Sequence, residues 1–167
     1  QTGELNQLVG QSSQLEKDKL DQKKEMLYID TARHLMQDTG IKTKIIKQLK
    51  HESPLVSCRF DPTGKYVFFG AQDNRIWRWD PTTDGKTDFV GHDSWIRSIV
   101  FSNDGMILIT GGYDGRLIWW EANAAEPKPI RIVDAHKGWI RAAAVSPDGQ
   151  LVATVGDDLF LRLWNLS

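Results

Sequence analysis

Gly91-His-Asp-Ser-Trp-Ile-Arg-Ser-Ile-Val-Phe-Ser-Asn-Asp-Gly-Met-Ile-Leu-Ile-Thr-Gly-Gly-Tyr-Asp-Gly-Arg-Leu-Ile-Trp-Trp120 is the stretch whose reading decides the fold. His92 opens it, Ser102-Asn-Asp-Gly105 turns it, and Asp114 and Trp120 close it. The same plan stands upstream as His51, Asp73 and Trp79, and downstream as His136, Asp158 and Trp164. In all three, 22 positions separate His from Asp and 6 separate Asp from Trp. Successive repeats lie 41 and then 44 residues apart. Between the anchors, Val56–Phe60, Ile96–Phe101 and Ile140–Val145 are short apolar runs. Each runs into a turn signal: Asp61-Pro-Thr-Gly64, Ser102-Asn-Asp-Gly105, Ser146-Pro-Asp-Gly149. A second apolar run follows each turn, at Tyr66–Phe69, Met106–Ile109 and Leu151–Ala153. Gly70, Gly112 and Gly156 precede a second tight turn, and a third run reaches the Trp. Strand, turn, strand, turn, strand is the pattern. A period slightly above 40 is that of a four-stranded propeller blade.

These residues resemble the WD40 repeat family over roughly residues 43–167. The closing dipeptide is Trp79-Asp80 in the first repeat, but Trp120-Glu121 and Trp164-Asn165 in the others. The opening Gly-His is intact at Gly91-His92 and becomes Lys50-His51 and Ala135-His136 elsewhere. The expected fold is mainly β: three four-stranded antiparallel blades, a partial β-propeller, preceded by an N-terminal α-helix. The expected division is a helical leader over 1–41 and repeats over 42–167, with repeat cores 51–80, 92–121 and 136–165.

The resemblance implies that His, Asp and Trp join a Ser or Thr, four residues before the Asp, in a buried hydrogen-bonded set. Thr110 and Thr154 fit that place, and Phe69 breaks it in the first repeat. A buried imidazole or carboxylate left without a partner costs about 1–3 kcal/mol or more. His92, Asp114 and Thr110 also imitate a nucleophile–base–acid constellation. An acid–base site is singular and sits in a cleft, whereas this set is written three times. The reading is therefore architectural and not enzymatic.

The chain of 167 residues has 21 basic and 22 acidic side chains, a net charge of −1 that gives no global pull on nucleic acid. Its 40% hydrophobic content is slightly low because the N-terminal stretch is polar. Cys58 is the only cysteine, so no intramolecular disulfide or cysteine zinc site can form. On an inner strand it reads as buried packing. No run of 18 apolar residues suggests a membrane span. No phosphate-cradling glycine loop or metal motif stands out, and no cofactor is expected. The compartment stays open, with the cytoplasm slightly favoured.

In the leader, Leu8, Leu15, Gln22, Ile29 and Met36 are spaced by seven, with Leu5, Ser12, Lys19 and Met26 alongside. That is a weak coiled-coil pattern. Tyr28, Ile29, Ala32, Leu35 and Met36 make a better local apolar face, and a helix over Leu15–Asp38 is expected. His34 reads as a solvated helical residue. Lys42–Lys50 alternates Ile with Lys and should be an outer strand, as should Thr87–Val90 and Ile130–Val133. In the family this strand belongs to the blade before the motif's own three. Propellers close with about four to eight blades. Three leave open edges, so the remaining blades are expected from a longer chain or from a second copy, which would give a six-bladed ring. Asn123–Pro129 reads as a rim loop that accounts for the longer second spacing.

Position within the repeat supplies the binding candidates. Trp95 and Trp139 lie three residues after the anchor His, and Arg97 and Arg141 five after it. Tyr113 precedes the turn Asp, as do Gln72 and Asp157. The resemblance places these on one rim near the central channel, so Trp95, Arg97, Tyr113, Trp139 and Arg141 are candidate partner-binding residues. Trp, Tyr and Arg carry most interface energy. The first repeat offers Pro54 and Val56 instead. The competing reading is that the Trp side chains pack between blades while the Arg heads reach water. Expected partners are other proteins, first an acidic or phosphorylated peptide. The implied function is a non-catalytic interaction scaffold. An accessory or regulatory segment of a longer multidomain enzyme, and an RNA-binding propeller, are the alternatives.

Overall fold

The computed structural model describes residues 16–24 and 44–167, which fall in two compact units, 1–48 and 49–167. In the first unit residues 16–24 are helical and exposed. The rest of the expected helix, its apolar face and His34 lie outside the described residues. The coiled-coil pattern finds no support. Its members within 16–24 are Lys19 and Gln22, both polar and exposed, and the others lie outside the described residues.

The second unit is built of antiparallel strands. The first sheet has β1 (Leu55–Phe60), β2 (Val67–Ala71), β3 (Arg75–Trp79) and β4 (Lys86–Val90), hydrogen-bonded in that order. The second has β5 (Ile96–Phe101), β6 (Ile107–Gly112), β7 (Arg116–Glu121) and β8 (Pro129–Asp134), again in order. The third has β9 (Ile140–Val145), β10 (Leu151–Gly156) and β11 (Leu161–Asn165). Each hairpin follows from its turn chemistry. In the second, Ser102 Oγ donates to Asp104 and accepts from the Ile107 amide, and Asp104 accepts from the Met106 amide. Gly64, Gly105 and Gly149 sit at one turn position with φ of 73°, 72° and 71°, where a side chain would be strained.

Two expectations about strands are corrected. The third sheet has three strands, not four. In the first two sheets the fourth strand is the segment leading to the next His, and no described segment does this for β11. The expected outer strand over 42–50 is not seen in its described part: residues 44–50 are irregular, with Ile45 and Ile46 exposed. A strand needs an edge to pair with, and no described strand precedes β1 to offer one.

The core lies between sheets. Phe68, Ile76 and Phe89 of the first sheet meet Ile99, Phe101, Leu108, Ile118 and Trp120 of the second. Val100, Ile109, Leu117 and Trp119 of the second meet Ile140 and Val152 of the third. Burying each large side chain contributes roughly 1.5–3 kcal/mol. The inner strands pack in series, β1 on β5 and β5 on β9. Ser57 Oγ donates to the Ile96 carbonyl and the Ala143 amide donates to Ser98 Oγ, so hydrogen bonds as well as apolar contacts tie neighbouring sheets. Cys58 corrects a further expectation. It is exposed, because it occupies the repeat place of Ile99 on the first sheet, and no described residue covers that face.

Candidate functional site

The repeated His, Asp, Thr and Trp come together in the second and third sheets. His92 Nδ1 lies 2.9 Å from Asp114 Oδ2, His92 Nε2 lies 2.9 Å from Thr110 Oγ1, and Trp120 Nε1 donates to the same Oγ1 at 2.9 Å. The third set repeats this: 2.8 Å for His136 Nδ1 to Asp158, 2.8 Å for Nε2 to Thr154, and 2.9 Å from Trp164 Nε1 to Thr154. A carboxylate can only accept and an indole N–H can only donate. With a neutral imidazole the direction is fixed: Trp120 donates to Thr110, Thr110 to His92, and His92 to Asp114. Both ring nitrogens are used up within the set.

Electrostatics follow from the same contacts. Burial raises the pKa of Asp114, but the hydrogen bond and charge of His92, with the Asp93 and Arg116 amides, outweigh it and hold the carboxyl below its ordinary value. Asp158 is held further down, as His136, Arg162 and the Lys137 and Phe160 amides together outweigh burial. Arg162 Nη1 lies 2.7 Å from Asp158 Oδ2, at the repeat place that Ile118 fills in the second sheet.

The first set is built differently. His51 faces Asp73 through Nε2 at 3.3 Å, and its Nδ1 is buried without a partner. Trp77 Nε1 donates to Asp73 at 3.0 Å, and Trp79 Nε1 turns to Asp84 at 3.3 Å. Phe69 supplies no hydroxyl, which the sequence shows directly. A second cause escaped the sequence reading. Ala71 stands where the other repeats have Gly112 and Gly156. A Cβ at Gly112 would lie 2.5 Å from Asp114 Oδ1 and 2.7 Å from His92 Nδ1. A methyl at that place leaves no room for the imidazole to point Nδ1 at the carboxylate.

The binding candidates are positioned by two devices. The Tyr113 amide donates to the Trp95 carbonyl at 2.9 Å and the Asp157 amide to the Trp139 carbonyl at 3.0 Å, so each pair sits side by side. The ladders of β1–β2, β5–β6 and β9–β10 slip at Val56, Arg97 and Arg141. Such a bulge re-aims the side chain of the extra residue. Four of the five candidates form one run. Trp95 and Tyr113 have ring centroids 6.0 Å apart, Tyr113 stacks on Trp139 at 4.4 Å, and the Arg141 guanidinium lies 4.7 Å from the Trp139 centroid. Trp95 and Trp139 remain 39% and 44% exposed. Arg141 is held by Asp157 in a two-point ion pair at 2.6 and 3.0 Å. Arg97 is exposed and shares with Arg141 the lining of one cavity. Among the described residues no group of three or more His, Cys, Asp or Glu could hold a metal ion, and no helix is long and apolar enough to cross a membrane.

A family model described as WD domain, G-beta repeat matches residues 43–80, 85–121 and 127–165. Echinoderm microtubule-associated protein-like 3 of Homo sapiens is 26% identical over 98 residues, 56% of this chain and 11% of that protein. Protein HIR1 of Candida albicans is 29% identical over 116 residues, 59% of this chain and 13% of that protein. Nuclear distribution protein nudF of Aspergillus flavus is 29% identical over 96 residues, 45% of this chain and 21% of that protein. The chain thus spans between 11% and 21% of the length of these relatives.

Proposed function

The chain belongs to the WD40 repeat family, and from that premise we propose that it is a non-catalytic scaffold that captures another protein on the rim carrying Trp95, Arg97, Tyr113, Trp139 and Arg141. The observation that carries this reading is the continuous, half-exposed run of three rings ending on a guanidinium. Rigid aromatic surface is bought cheaply in conformational entropy, and rings with an adjacent Arg are the usual energetic centre of an interface. The bracing role of His92 and His136 supports the absence of chemistry there, since each imidazole is saturated by its own set.

The test is a comparison of captured partners. A protein retained by the wild-type chain is measured against Trp139→Ala, Trp95→Ala and the distant control Lys65→Gln. Loss of affinity by tenfold or more in both Trp variants, with Lys65→Gln unchanged, is expected. Equal retention by all four chains would remove the rim from consideration. A partner that proves to be RNA, with binding falling steeply in salt, would overturn the protein-binding reading.

A further inference from the structure

A cavity of about 610 Å³ opens on the first sheet between the loop before β1 and the strands β3 and β4. Trp77 lines it. Phe69 and Trp77 are cross-strand partners, and they alternate with Phe68 and Ile76, which pack on the second sheet. They therefore face the other way. In the second sheet the place of Trp77 is filled by Ile118, buried under the first sheet, and in the third by Arg162, spent on Asp158. Trp77 is only half-buried, and its indole N–H is fixed on Asp73 at 3.0 Å, so its ring is a rigid plane on the cavity wall. That fixing follows from the rewired first set: with no hydroxyl at Phe69, Asp73 is left to the indole and to His51, whose side chain is 7% exposed.

The charges around the ring divide into spent and unspent. Asp73 accepts from the His51 ring, the Trp77 indole and the Arg75 amide. Arg75 is tied to Asp88, which stands outside the lining. Lys50, Glu52 and Lys86 line the cavity and make no hydrogen bond or ion pair among the described residues. Lys86 Nζ stands 5.7 Å from the Trp77 ring centroid. Two ammonium groups and one carboxylate are unspent, a surplus of one positive charge beside an aromatic plane.

We propose that this cavity binds an aromatic monocarboxylate, its ring stacked on Trp77 and its carboxylate held by Lys50 and Lys86. Aromatic planes stack offset, with centroids about 4.5–7 Å apart. A carboxylate carries one negative charge at neutral pH and matches the surplus. A phosphate monoester carries about −1.5 to −2 and exceeds it. A cationic ligand is disfavoured, because Lys86 already faces the ring that would attract it. A neutral aromatic ligand would desolvate the ammonium groups without pairing them. The site has no residue in common with the run from Trp95 to Arg141 and does not rest on the reading of that run.

Two sources supply this chemistry: a free aromatic acid, and an aromatic residue at the end of a peptide chain. The probes are indole-3-acetate, its neutral amide, sodium acetate, and glycylglycylphenylalanine with a free or amidated end. The readout is the indole N–H NMR signals of the full chain, with that of Trp77 identified by its loss in Trp77→Phe. A saturable shift of the Trp77 signal with indole-3-acetate is expected, and none with the amide or with acetate. Lys50→Gln and Lys86→Gln should each weaken binding about tenfold while backbone amide signals stay dispersed. Both lysines are exposed, so neither variant threatens folding. The same shift with the free-ended peptide extends the site to chain ends, whereas a silent peptide limits it to small acids. Four results would each overturn the proposal: no saturable shift at Trp77; an equal response to the amide; binding unaltered when both lysines are replaced; or shifts at Trp95 and Trp139 in place of Trp77.

Discussion

His51 meets Asp73 through Nε2, whereas His92 and His136 meet their aspartates through Nδ1. Two side chains account for the reversal, Phe69 by withholding a hydroxyl and Ala71 by occupying space that Gly112 and Gly156 leave free. Phe69→Thr alone should therefore fail to rebuild the set and cost about 2–4 kcal/mol, since it empties a fully packed site and leaves the methyl of Ala71 in place. Adding Ala71→Gly should recover at least about 1 kcal/mol by giving the orphaned imidazole nitrogen a partner. Urea unfolding reads the energies. The ¹⁵N shifts of the His51 ring, expected to approach those of His92 only in the double variant, read the geometry.

Thr110 serves two buried partners with one oxygen, so its loss is not a one-bond event. Thr110→Val should destabilise the chain by about 2–5 kcal/mol, as both His92 Nε2 and Trp120 Nε1 lose their partner. Thr110→Ser keeps the oxygen and should cost about 1 kcal/mol for the missing methyl. A ratio of the two near one in equilibrium unfolding would show that shape, not the hydroxyl, holds this site.

The repeat was legible because its anchors are polar residues that must be buried together, and burial enforces spacing. His92, Asp114 and Trp120 cannot drift relative to one another without orphaning a donor, so the gaps of 22 and 6 survive in the chain. Residues 44–50 misled for the opposite reason: alternating Ile and Lys records what a strand could be, not whether an edge is present to receive it. Cys58 misled in the same way, since an inner-strand position is buried only if a neighbouring sheet covers it.

Acid stability should follow the two aspartates. Both native carboxyls titrate below the value of about 3.9 expected in the unfolded chain. A lowered native pKa adds stability that is complete above the unfolded value and disappears as pH falls towards the native one. Stability should therefore be level above about pH 5 and decline below about pH 4. Arg162→Ile, which copies the second sheet, removes a cation beside Asp158 and should move that decline to higher pH. Urea midpoints collected from pH 2 to 7 on both chains check the direction. A decline that is unmoved would show that His136 and the amides suffice.

Tyr113, at the centre of the ring run, decides between packing and recognition. If the rings existed to hold sheets together, removing the central one would resemble removing Phe89, which is wholly buried between the first and second sheets. Phe89→Ala should cost about 3–5 kcal/mol. Tyr113→Ser removes a half-exposed ring whose contacts are two neighbouring tryptophans and Arg141, and should cost about 0.5–1.5 kcal/mol. Its effect on capture of a protein partner should be far larger, tenfold or more, because Trp139 and Arg141 lose the surface that keeps them parallel and spaced. Chemical denaturation and the binding assay, run on the same preparation, separate the two roles. A stability loss above about 3 kcal/mol with unchanged capture would return the ring run to architecture.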